Sequence, residues 1–93
     1  MTITHIVLSC DGVPPSAGLR AAADITAEFA EHRPWFKNVI CSWVAGRLVL
    51  AADSDTDHEG LALMDEFSDC LAAYTSDLAD GELRVDSLTQ VSA

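Results

Sequence analysis

The chain has 93 residues, 49% of them hydrophobic and 22% charged, enough to form one core without a metal or disulfide scaffold. Its formal net charge is −10, from 15 acidic and 5 basic residues. That excess argues against nucleic acid and anionic membrane as partners, because both are held by basic footprints.

The charge is unevenly spread. Residues 1–52 balance Asp11, Asp24, Glu28 and Glu31 against Arg20, Arg33, Lys37 and Arg47, so the excess lies wholly in residues 53–93, where Arg84 is the one base. Such a surface keeps a small protein dispersed and also suits a basic partner. Cys10, Cys41 and Cys70 are odd in number, widely spaced and set among apolar neighbours. They read as buried thiols of a cytoplasmic protein rather than a disulfide framework. The first residues lack the basic region and the long apolar run of a signal peptide, and no stretch has the length of a membrane span.

Residues 2–10 are rich in β-branched side chains and predict a first strand. Gly12, Pro14 and Pro15 break it, and Ser16 is placed to cap the next element. Residues 17–33 predict a helix with Leu19, Ala22, Ile25 or Thr26, and Phe29 on its inner side, ended by Pro34. Residues 35–44 and 47–53 predict a hairpin about Ala45-Gly46, pairing Trp43 with Leu48, Cys41 with Leu50 and Val39 with Ala52. Period two sets these residues on one side of the sheet. It leaves Ile40, Val44, Val49 and Ala51 on the other, which is too apolar to be ideally solvated. Trp35 and Trp43, eight apart, are expected to share a face of one strand.

Residues 57–79 predict a second helix with Leu61, Met64, Phe67, Leu71, Tyr74 and Leu78 inward, ended by Asp80-Gly81. Glu59, Glu66, Asp69, Asp77 and Asp80 fall on or near its outer side. Residues 82–91 predict a last strand with Leu83 and Val85 inward and a slip near Ser87 and Leu88, consistent with a bulge. The order βαββαβ predicts a single α+β domain over residues 1–93. The expected form is a ferredoxin-like sandwich of four antiparallel strands with two helices on one face.

The stretch Asp53-Ser54-Asp55-Thr56-Asp57-His58-Glu59-Gly60 invites a metal reading. An EF-hand loop needs glycine at its sixth position and glutamate at its twelfth. His58 and Met64 stand there instead, so the EF-hand pattern fails; a looser divalent-cation site at Asp53, Asp55, Asp57 and Glu59 is the alternative to the expectation of no metal or other cofactor. Thr56 and Glu59 fit a capping box for the second helix. His5, His32 and His58 lie in different elements with no ligand spacing and no evident partner. Strand alternation separates His5 from Cys10, which argues against a cysteine nucleophile. Asp65 and Asp69, one helical turn apart, repel each other and form either a solvated flank or a docking face for a basic partner.

Residues 11–32, DGVPPSAGLRAAADITAEFAEH, resemble the first loop and helix of ACT regulatory domains in Gly18-Leu19 and the helical pattern that follows. The two prolines and the short central hairpin depart from that pattern. The resemblance implies a small-ligand site between the first strand and first helix, at Asp11, Gly12 and Gly18. The residues themselves favour a noncatalytic interaction module. It would self-associate as a homodimer through Ile40, Val44 and Val49, with Glu66 and Asp69 solvated or facing a basic protein. An immunity or antitoxin type of inhibitor belongs to the same class.

Overall fold

The computed structural model describes residues 2–74 and 83–92. Six elements follow in chain order: β1 (Thr2–Cys10), α1 (Pro15–His32), β2 (Lys37–Val44), β3 (Arg47–Ser54), α2 (Leu61–Tyr74) and β4 (Leu83–Ser92). The strands form one antiparallel open sheet in the order β2-β3-β1-β4, with two helices packed on it, an α+β architecture.

Alternation along the strands makes the core. Ile6, Leu8 and Cys10 of β1, Leu48, Leu50 and Ala52 of β3, and Cys41 of β2 are buried on one side of the sheet. They form one cluster with Ala21, Ala22, Ile25 and Phe29 of α1 and Leu63, Phe67 and Cys70 of α2. This period-two burial is what a sheet with one covered face requires. Trp43 pairs with Leu48 and Cys41 with Leu50, the hairpin register expected from the sequence.

Helix α1 starts without a side-chain cap: Pro14 is its N-cap and Pro15 its first residue. Pro15 suits the first helical position, where an N–H would have no partner, and Ser16 lies inside the first turn rather than capping it. Leu19 is exposed, and Gly18 takes the buried place near the helix start. The reason is Trp43. A Cβ on Gly18 would overlap the indole at Cδ1, so only glycine lets helix and ring approach so closely. The indole Nε1–H donates to the Val13 carbonyl at 2.8 Å, and the Val13 N–H donates to the Gly46 carbonyl at 2.9 Å. The loop after β1 is thereby fastened to the hairpin.

Helix α2 begins four residues later than the sequence suggests, at Leu61. The Thr56–Glu59 capping box does not form. Asp57 does the capping: its carboxylate accepts from the N–H groups of Ala62 at 3.1 Å and Leu63 at 2.8 Å. Ser54 Oγ in turn accepts from the N–H groups of Thr56 and Asp57, which fixes the approach. With this start the buried line runs through Leu63, Phe67 and Cys70, flanked by Met64 and Leu71, while Leu61 is exposed. The expected helix end and Leu78 lie outside the described residues.

Two bulges bend the sheet. Between the pairs Lys37↔Asp53 and Ile40↔Ala51, β2 has one residue more than β3, and Asn38 takes a φ of 54°. Asparagine tolerates this left-handed region better than most residues. Between Val7↔Ser87 and Leu8↔Val85, Asp86 is the extra residue of β4. It switches the core-facing positions from Leu83 and Val85 to Leu88, the slip visible in the sequence. Trp35 precedes β2, so the two tryptophans do not share a strand face.

Candidate functional site

The face of the sheet opposite the core can be read as rows across the strands. Ser42, Val49, Ser9 and Arg84 form one row, and Ile40, Ala51, Val7 and Ser87 the next. Then come Asp53, His5 and Thr89, and finally Ile3 with Val91. Val44 lies beside Arg47 at the hairpin end. Ile40 is 61% exposed, Val44 53% and Val91 52%. Val44, Val49, Ile40, Ala51 and Val7 thus make an apolar band running from the hairpin into the middle of the face.

The charges on this face are matched locally. The Arg84 guanidinium donates to Asp86 at 3.1 Å and to Asp11 at 2.8 Å. The buried Ser9 hydroxyl donates to the same Asp86 carboxylate at 3.0 Å. These contacts, Ser9 first and Arg84 next, hold the Asp86 carboxyl below its ordinary pKa.

Below the apolar band, Asp53 joins three strands. One carboxylate oxygen lies 2.6 Å from His5 Nδ1 and the other accepts from the Asn38 amide at 2.8 Å. The Asn38 donation, with the His5 contact behind it, lowers the Asp53 pKa against the opposing effect of burial. An ionised Asp53 accepts from His5 Nδ1–H, so the contact places a proton on that nitrogen of the ring. A groove of about 510 Å³ adjoins this polar row, lined by Ile3, Trp35, Lys37, Asn38, Asp53, Ser54 and Asp55.

The structure separates the residues singled out from sequence. Asp11 is paired with Arg84, Gly12 is exposed with a φ of 77°, and Gly18 is buried beneath Trp43. The space above Gly18 is therefore filled by protein. Glu66 accepts from Arg33, which also donates to Glu28 at 3.2 Å and lies 5.3 Å above the Phe29 ring. That pairing joins α1 to α2. Asp65 and Asp69 are exposed. Ile40, Val44 and Val49 share the open face as expected.

Two histidine contacts escape a reading by spacing. His5 and Asp53 can each be assigned to the open face from strand period, but their contact depends on β1 lying beside β3 in this register. His58 Nδ1 lies 2.7 Å from the Oγ1 of the fully buried Thr4, tying the loop before α2 to β1. Among the described residues, no three His, Cys, Asp or Glu side chains gather as metal ligands. No described helix is long and apolar enough to cross a membrane. The cysteines are buried thiols, and burial pushes Cys41 up to about 12. No protein-family model matches the chain, and no curated protein matches it in sequence.

Proposed function

We propose that this protein is a noncatalytic, self-associating interaction module whose open sheet face closes against a second copy. The carrying observation is the band of Ile40, Val44 and Val49 on a face that no described helix covers. Contiguous exposed apolar surface of this kind is a mark of association. Charge supports the same face and the same partner. Two copies of a chain of net charge −10 repel each other over most of their surface. On the open face Arg84 is paired with Asp86 and Asp11, Arg47 lies near enough to Asp86 to lower its pKa, and Lys37 stands opposite Asp53. Two such faces meet without net repulsion.

The element order with the strand order β2-β3-β1-β4 supports the ferredoxin-like form of the α+β fold. Three buried thiols suit a reducing compartment, and we place the protein in the cytoplasm. A basic protein docking on α2 is the weaker reading, because Glu66 is already committed to Arg33.

Sedimentation velocity over a range up to millimolar concentration tests the proposal. The expected result is a dimer for the native chain and a monomer for Ile40→Glu combined with Val44→Glu, both at exposed positions. A native monomer throughout the range, or a variant that dimerises as well as the native chain, contradicts it.

A further inference from the structure

The corner groove lies beyond the polar row, at the Ile3 end of the open face, and the apolar band does not use it. Its volume of about 510 Å³ is within the range of small-molecule sites. Ile3 and Trp35 supply apolar walls, and Trp35 is 56% exposed. A tryptophan of this exposure offers a π-face, the aromatic surface to which an ammonium group is most strongly drawn.

The charged groups lining the groove differ in what they have left to give. Both Asp53 oxygens are taken, by His5 and Asn38. The Lys37 ammonium is held by the Pro34 carbonyl at 2.9 Å. Among the described residues, no hydrogen bond or ion pair engages Asp55, an exposed carboxylate. The lining thus carries two carboxylates against one ammonium, and its free acceptor is Asp55. The field of a chain of net charge −10 adds to this by concentrating cations around it.

We propose that the groove binds a small organic ammonium with an apolar body, its charge shared between Asp55 and the Trp35 ring and its body against Ile3. Lys37 opposes this ligand, so its removal strengthens binding. The site is distinct from the loop at Asp11–Gly18, which lies at the other end of β1.

Phenethylammonium is the test probe, with 2-phenylethanol and 3-phenylpropionate as controls of similar body. Amide and indole shifts of residues 35–38 and 53–55 are followed by NMR. The ammonium probe is expected to give saturable shifts, with both controls weaker by about tenfold. Asp55→Asn and Trp35→Ala should each weaken binding severalfold, and Lys37→Gln should tighten it. All three positions are exposed, and the native spectrum outside the groove reports that the fold is kept. The proposal is overturned by an absence of shifts at millimolar probe, by equal binding of the alcohol, or by weaker binding in Lys37→Gln. Sedimentation of the same variants is expected to match the native chain, so the outcome is separable from that of self-association.

Discussion

A methyl group added at Gly18 has nowhere to go, because the Trp43 indole occupies its place. Gly18→Ala must push the ring away and strain or break its bond to Val13. The expected cost is about 1–3 kcal/mol, read in urea melts, with a changed near-ultraviolet signal from Trp43. Ala45 has the opposite character. It holds a φ of 51° in the hairpin turn, where Gly46 also has a positive φ. An L-residue there costs roughly 1–2 kcal/mol, and glycine trades this for a smaller entropic cost. Ala45→Gly should therefore stabilise the protein by about 0.5 kcal/mol. The folded Asp53 pKa lies below its ordinary 3.8, through Asn38 first and then His5. The stability it confers is present above that ordinary value and is lost as pH falls through the folded value. Asn38→Ala should flatten this part of the acid melt, and an unchanged profile between pH 5 and 2, roughly the range where carboxylates titrate, counts against the contact.

The elements themselves were largely legible in the chain. The β-branched run at residues 2–10 and the Ala45-Gly46 hairpin appear as read, because period and turn chemistry are local. Helix faces were less legible. Leu19 and Leu61 fit the periodic pattern yet are exposed, since Gly18 and Leu63, one and two residues away, take the buried places. The start of α2 is hidden in the sequence for a related reason. Thr56 and Glu59 have the right spacing, but Ser54 and Asp57 capture the backbone N–H groups first. Asp57→Ala should accordingly cost about 1 kcal/mol, and Thr56→Ala less than half of that. Urea melts of the two variants distinguish the two caps, and equal losses would count against Asp57. The His5–Asp53 contact was illegible because pairing between distant strands is set by the whole sheet.

At the scale of the molecule, the cysteines and the charge act in different ways. Cys41, raised by burial from 9.0 to about 12, favours folding while its thiol stays protonated. That stability is complete below the ordinary value and is lost as pH rises from 9.0 toward the folded one. Iodoacetamide should therefore spare Cys41 in the native protein at mildly alkaline pH and label it in urea. Rapid labelling of the native chain would contradict its burial. The net charge works on association instead. Added salt screens repulsion between copies, so the dimer should tighten from low to moderate ionic strength.

The open face is best tested by observing it in contact. Copies carrying labelled methyl groups, mixed with unlabelled copies at millimolar concentration, report proximity between chains through isotope-filtered NOEs. Contacts between chains from the methyls of Ile40, Val44 and Val49 are the expected result. A dimer whose contacts between chains come from the helices, or a sample with no such contacts at all, would contradict the assignment of this face to self-association.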